Sequence, residues 1–473
     1  MQVLKKLIVW ILTIESRLII RKYKPFIVAI TGSVGKTSTK DAIYCVLKNH
    51  ERFARKSEKS MNSEIGLPLT IIGAPNAWHS FFGWLRNITL GAKMITSRVE
   101  YPSCLILEIG ADHPGDIKRV AKWLYPDIVV ITKISETPVH VEFFKSSEEV
   151  FEEKASLARA VKDGGTLVLF ADDEKVVALG EKPNVLFESD DSQSRNDPSK
   201  VRNMENKNVE VLTFGIDMSA TARGENYSSS IQTGISFTLD LVGEKAPVSI
   251  HGVLGKTYLY PFLAATVVGK ARNIPLRDIV KSLNEYEAPR GRMNIIPGIN
   301  GSMIIDDTYN SSPDAVMSAL QTLKELNFVI PAKAGIQDLT KDPVDMTLDS
   351  RFRGNDNITI SQISHRKIAV LGDMMELGRF SVDEHRKVGK KVAGIANILV
   401  TVGPRARIIA EEALKSGMPA DYVKCFDSSL DATPYIASIA SSGDIILVKG
   451  SQSPRLERVT KALLREPEKA DKL

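Results

Sequence analysis

The stretch FIVAITGSVGKTSTKDAIYCVL, residues 26–47, decides the fold. Residues 26–30 form a short apolar, β-branched run that predicts a buried strand, and residues 38–47 carry apolar side chains at helical spacing. Between them the chain turns through Gly32 and Gly35. A strand, a glycine loop, a Lys-Thr pair and a helix predict a cradle for phosphate groups, because loop amides and the helix N-terminus point at the anion.

Each polar group of this loop has a predicted task. Lys36 would meet the outer phosphates, and the Thr37 hydroxyl would reach Mg²⁺. The other nucleotide-binding residues predicted from this loop are Gly32, Ser33, Val34, Gly35 and Ser38. The general pattern has glycine where this chain has Ile30, so the alternative is a chance glycine turn before a helix. The flanking strand and helix favour phosphate binding.

The amino-acid composition limits the classes of protein to which the chain can belong. The chain has 473 residues, enough for several domains, and its 43% apolar and 25% charged content is that of a globular protein. The first 24 residues already carry the net charge of +5, so the remainder is neutral, which argues against a nucleic-acid surface. Cys45, Cys104 and Cys425 are widely spaced, which predicts a reducing compartment and a cytoplasmic location.

Residues 4–22 have apolar side chains at helical spacing, interleaved with lysine and arginine. The apolar run 7–12 is too short to span a bilayer, and no cleavage site for a secretory signal follows it. Two interpretations stay open. The helix could lie peripherally on an anionic membrane, or it could pack on its own domain, which is the commoner use of an apolar helix face.

Further motifs follow predicted strands. Glu108 ends the strand 104–108 before a glycine turn, where a carboxylate can hold Mg²⁺. A second strand, 127–132, leads to a loop containing His140, and the helix after it carries Lys154. Between the phosphate loop and Glu108, residues 78–96 predict a buried helix. Its aromatic side chains are interpreted as core residues: Trp78, Phe81, Phe82 and Trp84.

This order of motifs resembles the Mur ligase family, which joins amino acids to a carboxylate with ATP. The resemblance implies a second Mg²⁺ held by Glu108, His140 and a carbamate on Lys154. Burial of that lysine would lower its pKa enough for its neutral amine to capture CO₂. The polar loop 57–73 resembles the family's loop over the nucleotide and the acyl substrate, with Asn62 and Ser63 as substrate contacts.

Later motifs sharpen the resemblance. Arg292 stands where the family's arginine swings onto the ATP phosphates. The segment DDTYNSSP, residues 306–313, resembles the branch of the family that adds D-alanyl-D-alanine, and it implies Asp307 as the ribose contact and Asn310 as a nucleotide contact. The segments IAVLGDMMELG and IILVKGS follow, and the further substrate contacts implied there are Asp373, Lys449 and Ser451.

The predicted fold class is α/β, with a central phosphate-loop ATPase domain on a parallel sheet and a C-terminal Rossmann-like domain. The predicted division is a basic amphipathic helix, a central domain and a C-terminal domain: residues 1–25, 26–288 and 289–473. A polar loop, 181–208, interrupts the central domain. An insertion of about residues 328–365 interrupts the C-terminal domain and is predicted to have no catalytic role.

The implied activity is ATP-dependent amide ligation in peptidoglycan precursor synthesis, with Lys36, Lys154, His140 and Arg292 as catalytic residues. The implied cofactors are ATP and Mg²⁺, the implied substrates are a UDP-N-acetylmuramoyl-tripeptide and D-alanyl-D-alanine, and the enzyme is predicted to be a monomer. Family members carry a separate domain for the UDP end, whereas only residues 1–25 precede the phosphate strand here. Two alternatives therefore stay open: ligation of another carboxylate, as in folylpolyglutamate synthases, or a non-catalytic nucleotide-binding protein.

Overall fold

The computed structural model describes residues 2–58, 61–78, 80–135, 141–181, 208–326 and 365–466. His140, nearly all of the predicted polar loop and the predicted insertion lie outside these residues. Within the described residues the chain forms two sheets flanked by helices, which confirms the α/β fold class.

The first sheet has nine strands among the described residues, in the order β2-β3-β1-β4-β5-β6-β7-β8-β9. Pairing is parallel from β2 through β7, and β8 and β9 extend the edge in antiparallel fashion. The strands are β1 Phe26–Thr31, β2 Ala54–Lys56, β3 Cys104–Glu108, β4 Ile128–Ile131, β5 Thr166–Phe170, β6 Glu210–Gly215, β7 Ala222–Ser230, β8 Gly234–Leu241 and β9 Glu244–Ile250.

The strand register brings the predicted motifs together at the C-terminal ends of neighbouring strands. β1 lies between β3 and β4, with Ile30 opposite Glu108 and Thr31 opposite Ile131. Parallel strands end on the same side of a sheet, so the phosphate loop, the Glu108 carboxylate and the segment after β4 converge there. β1 is apolar and buried because the sheet is covered on both faces.

The helices of this part begin and end as follows: α1 Gln2–Tyr23, α2 Lys36–Leu47, α3 Gly66–Ile72, α4 Phe81–Thr96, α5 Asp116–Ala121, α6 Ser147–Ala158, α7 Glu174–Glu181, α8 Leu259–Ala271 and α9 Leu276–Asn284. The α1 helix packs on α3 and α4 and buries Ile8, Leu12 and Ile19. In the described part of the chain, no helix has both the length and the apolar character needed to cross a bilayer.

The prediction that the aromatic residues before and within α4 belong to the core is wrong for three of them. Trp78 is 74% exposed, Phe81 62% and Phe82 80%, while Trp84 is half-buried. The helix itself forms, but its contact with α1 uses other positions, including the buried Gly91, which lies against the Glu15 carboxylate. The apolar sequence therefore predicted the helix correctly, but it wrongly predicted that the rest of the protein buries the aromatic side chains.

The second sheet runs β10-β11-β15-β12-β13-β14, with only the β10 edge antiparallel among the described strands. Its strands are β10 Asn294–Pro297, β11 Met303–Asp307, β12 Lys367–Gly372, β13 Ile398–Val402, β14 Val423–Phe426 and β15 Ile445–Lys449. Its helices are α10 Pro313–Glu325, α11 Ser381–Ala393, α12 Arg407–Lys415, α13 Ser429–Ile439 and α14 Glu457–Ala462. Asp307 and Lys449 end paired strands and lie side by side.

Candidate active site

The phosphate loop has the backbone that its glycines predicted. Gly35 has φ +87° immediately before α2, and a Cβ on Gly32 would lie 1.9 Å from the Thr132 hydroxyl oxygen, so neither position suits a side chain. The amides of Ser33 and Val34 both donate to the Lys133 carbonyl, over 2.8 and 3.3 Å. These two bonds fix the loop on the segment after β4, and the N-terminus of α2, which follows the loop directly, is the part that can receive an anion.

Lys36 folds back over this loop. Its ammonium donates to the carbonyl oxygens of Gly32, at 2.8 Å, and Ser33, at 3.4 Å. Burial lowers the pKa of Lys36, and the negative charge of Glu108 opposes that effect. A cation held by neutral carbonyls can move to a phosphate without breaking an ion pair.

Glu108 is the centre of a buried polar cluster. One carboxylate oxygen accepts from the Thr37 hydroxyl at 2.9 Å and lies 3.7 Å from the Lys40 ammonium. The other accepts from the Asn62 amide at 3.3 Å. A hydroxyl and a carboxylate in contact form the oxygen-rich pair that suits Mg²⁺. Lys40 was not singled out in the sequence, although it lies one helical turn beyond Lys36.

Lys154 lies in the same cleft, on α6. Burial, followed by the positive charge of Lys36, lowers the pKa of Lys154 to about 7. Its neighbour Glu153 accepts from the amides of Gly115, at 2.8 Å, and Ile117, at 2.6 Å, and thereby ties α6 to the turn before α5. His140, predicted beside these groups, is not among the described residues. Within those residues, no group of three or more His, Cys, Asp or Glu side chains forms a metal cluster.

Arg292 connects the two sheets. Its guanidinium donates to the Thr37 hydroxyl at 3.0 Å and lies over the Tyr309 ring, 4.3 Å from the centroid. The Tyr258 hydroxyl donates to the Arg292 carbonyl at 2.6 Å. The arginine is thus fixed at its backbone and at its planar end. Tyr309 belongs to the DDTYNSSP segment, and only the fold shows that it supports Arg292.

A second polar group enters the cleft from the C-terminal sheet. The Lys449 ammonium is 2.7 Å from Asp307 and donates to the Asn310 carbonyl at 2.9 Å. Asp306, next to this pair, points away and accepts from the Gly291 amide at 3.1 Å, so it anchors the segment that carries Arg292. Burial raises the pKa of Asp306, which nearby hydroxyl donors oppose.

These groups surround one open cleft between the two sheets. The cleft brings together ten of the predicted site residues: Ser33, Val34, Gly35, Lys36, Ser38, Lys154, Arg292, Asp307, Asn310 and Lys449. Thr257, Tyr258 and Pro261 complete the wall. A cleft between two sheets with a phosphate loop at its base can bind a nucleotide.

The remaining predicted substrate residues lie in two other places. Asn62 is at Glu108, and its neighbour Ser63 accepts from the Gly66 amide at 3.4 Å. Asp373 accepts from the Ala406 amide at 2.7 Å, and its carbonyl accepts from the Ser451 amide at 3.1 Å. Asp373 and Ser451 therefore form a cluster within the second sheet.

Comparison with known proteins agrees with this arrangement. The Mur ligase middle domain matches residues 86–269, and the Mur ligase glutamate ligase domain matches residues 358–452. Together the two matches cover more than half of the chain. The UDP-N-acetylmuramoyl-tripeptide--D-alanyl-D-alanine ligase of Bacillus subtilis is 26% identical over 93% of this chain and 76% of its own length. The enzyme of that name from Mycobacterium leprae is likewise 26% identical, over 93% and 73%.

Solved structures show the same fold. MurF from Acinetobacter baumannii superposes with a TM-score of 0.69 at 20% identity, over 96% of this chain and 80% of that one. The MurF ligase of Thermotoga maritima in complex with ADP has a TM-score of 0.68 at 20% identity, over 98% and 84%. The fold and the cleft define an ATP-dependent ligase built from two α/β domains. The chain belongs to the Mur ligase family, as its motifs predicted.

Proposed function

We propose that this enzyme adds D-alanyl-D-alanine to a UDP-N-acetylmuramoyl-tripeptide in peptidoglycan precursor synthesis. The observation that carries the proposal is the convergence of Lys36, Arg292 and Asp307, from two sheets, on one cleft. Relatives matched along nearly the whole chain bear the name of that ligase. A likeness to a folylpolyglutamate synthase, with a TM-score of 0.59 at 13% identity, concerns the fold alone.

The reaction has two steps. An oxygen of the substrate carboxylate bonds to the γ-phosphorus of ATP while the bond to the bridging oxygen breaks, which gives an acyl phosphate and ADP. The dipeptide amine then attacks the acyl carbon, loses a proton, and displaces inorganic phosphate. Lys36 and Arg292 would neutralise the charge on the transferred phosphoryl group. Arg292 spans the two sheets, so closing them over ATP would also exclude water from the acyl phosphate.

Thr37 and Glu108 fit a Mg²⁺ ion, because a hydroxyl and a carboxylate oxygen already meet there. Bound Mg²⁺ would supply charge neutralisation for the phosphates. Glu108, His140 and the Lys154 carbamate would hold a second ion. The lowered pKa of Lys154 supports the carbamate, since the neutral amine is the form that captures CO₂.

The other roles follow from position. Asp307, fixed by Lys449, would accept from the ribose hydroxyls, and Asn310 would contact the nucleotide beside it. Asn62 and Ser63 would contact the acyl substrate. The further substrate contacts, from the C-terminal domain, would be Asp373, Lys449 and Ser451. We place the domain division at residues 288 and 289, between the sheets.

We further propose that the enzyme works in the cytoplasm as a monomer, with peripheral membrane contact through residues 4–22. The intact positions of Lys36, Glu108 and Arg292 argue against a non-catalytic nucleotide-binding protein.

The test is phosphate release from ATP with UDP-N-acetylmuramoyl-tripeptide, with and without D-alanyl-D-alanine, while product mass is followed. Release that requires both substrates, with a product heavier by the dipeptide, would establish the ligase. Turnover only with another carboxylate and amine would keep the chemistry and overturn the substrates. ATP binding without turnover under any of these conditions would contradict catalysis.

A further inference from the structure

The helices α1 and α4 leave an unusual set of large apolar side chains in solvent. Three lie on α1 and four lie before or within α4: Leu7, Trp10, Leu18, Trp78, Phe81, Phe82 and Leu85. Trp10 is 62% exposed and Phe82 80%. Isolated apolar residues on a surface are ordinary, but a cluster of this kind marks an interaction site.

The two sets lie on neighbouring helices that run in the same direction. Lys22, in the last turn of α1, donates to the carbonyls of Met94 and Ile95, in the last turns of α4, both at 2.9 Å. Glu15 lies against Gly91 of α4, so Trp10, five residues earlier, lies toward the N-terminal half of α4, which begins at Phe81. We call this surface, formed by the seven side chains above, the aromatic face.

The outward side of α1 is apolar in its own right. Leu7, Trp10 and Leu18 recur at helical spacing on the side opposite the buried Ile8, Leu12 and Ile19. A helix that buries one apolar side against its domain gains nothing from a second one facing water. The second side therefore needs an occupant.

The charged side chains beside the aromatic face indicate what kind of partner it binds. Lys6, Arg17 and Arg21 are exposed beside the apolar residues of α1, and the helix's one acidic residue, Glu15, is buried against α4. From residue 65 to residue 99 the sequence has no acidic residue, while Arg86 and Lys93 lie exposed on α4. Aromatic and aliphatic side chains flanked by basic ones fit a bilayer interface with anionic headgroups.

We infer that the aromatic face docks the enzyme on the surface of an anionic lipid bilayer. The helix lies on the membrane and does not cross it. The inference extends the proposed contact of residues 4–22 to α4, and it stands independently of the ligase reaction. The helix that carries part of this face also lies beside the segment that carries Asn62: Lys5 is 3.9 Å from Glu64, and Ser16 donates to the Pro68 carbonyl.

The test is flotation of the full chain with vesicles of phosphatidylcholine alone or of equal parts phosphatidylcholine and phosphatidylglycerol. The wild type is expected to float with the anionic vesicles, with a blue shift of tryptophan fluorescence because Trp10 and Trp78 leave water. The double variant Trp10→Glu, Phe82→Glu should lower the bound fraction at least about tenfold. Leu430→Glu, at a 63% exposed site on α13, is the matched control and should bind as wild type does.

Equal binding by the double variant, or no binding to either vesicle, would overturn the inference. So would concentration-dependent dimerisation that the double variant abolishes, because the occupant would then be a second copy of the chain. Phosphate release with soluble substrates, measured without vesicles, should be the same in the wild type and the double variant, which separates a failure here from a failure of the proposed ligase.

Discussion

Two lysines, the half-buried Lys36 of the first sheet and the buried Lys449 of the second, face the same cleft and are held in opposite ways. Lys36 follows β1 and donates to carbonyl oxygens of its own loop. Lys449 ends β15, is 1% exposed, and is ion-paired with Asp307 at 2.7 Å. One cation rests on neutral dipoles, and the other is matched by a carboxylate.

The difference separates a ligand-binding group from a positioning group. Carbonyl contacts can be exchanged for phosphate oxygens at small cost, so Lys36 is available to the nucleotide. Taking Lys449 from Asp307 would leave a largely buried carboxylate unpaired, which is costly. Lys449 therefore holds Asp307 in place, and removal of the two lysines should have different effects.

The largest effect is expected from Lys36→Ala. Without this ammonium the transferred phosphoryl group loses a charge partner, so phosphate release should fall roughly 10²–10³-fold, with unchanged thermal stability. Lys48→Ala, at the end of the same helix, is the matched control and should retain activity. Comparable turnover in Lys36→Ala and Lys48→Ala would remove the assignment of Lys36.

Lys154 is a third lysine of the cleft, and its proposed working form is a carbamate. Lys154→Ala should lower ligation about 100-fold, because a metal ligand is lost. Added short-chain carboxylate should restore part of the activity by supplying the missing oxygens. The control is Lys162→Ala, on a lysine that pairs with Asp127 at the surface. This variant should keep its activity, and added carboxylate should not change it. Full activity of unrescued Lys154→Ala would refute the carbamate.

Lys449→Met should mainly affect binding and stability. It leaves Asp307 without its cation, so we expect a loss of about 2–3 kcal/mol in the free energy of unfolding and a raised KM for ATP. Adding Asp307→Asn should recover part of the stability without restoring KM. Lys424→Met, on an exposed lysine of β14, is the control. A fall in kcat alone would show that Lys449 acts on phosphate as Lys36 does.

The smallest effect concerns His385, buried behind the second sheet. Its Nε2 accepts from the Met374 amide at 3.1 Å, and burial lowers the pKa of His385. A depressed folded pKa means that the unfolded chain binds the proton first, so stability is present above pH ~6.5 and is lost as pH falls below it.

This loss should be at most about 1.4 kcal/mol per pH unit and should appear as a falling Tm. In His385→Gln, the Tm should depend less steeply on pH between neutrality and mild acid, even if its absolute value is lower. Equal slopes in the two proteins would show that His385 does not carry this part of the acid sensitivity.

The sequence predicted the local parts of the site well. The β1–loop–α2 unit, the strand ending at Glu108 and the strand pair ending at Asp307 and Lys449 each follow from short patterns of apolar and turn-forming residues. Their convergence also follows, because parallel strands end on one side of a sheet. No local pattern could show that Tyr309 lies under Arg292 or that Lys40 reaches Glu108, since both contacts depend on distant segments.

The exposure of the aromatic side chains at α4 could not be predicted for a different reason. Periodicity shows that a helix has an apolar side, but it does not show what lies against that side. Trp78, Phe81 and Phe82 have the composition of a core and the exposure of a docking surface.

The most direct test of the acyl-phosphate mechanism is the fate of the substrate's carboxylate oxygens. UDP-N-acetylmuramoyl-tripeptide labelled with ¹⁸O in the carboxylate that reacts would be incubated with ATP, D-alanyl-D-alanine and the enzyme, and the released inorganic phosphate analysed by mass. The acyl phosphate predicts one ¹⁸O atom in each phosphate, because the attacking oxygen leaves with it. Phosphate without label, formed together with the amide product, would contradict the mechanism.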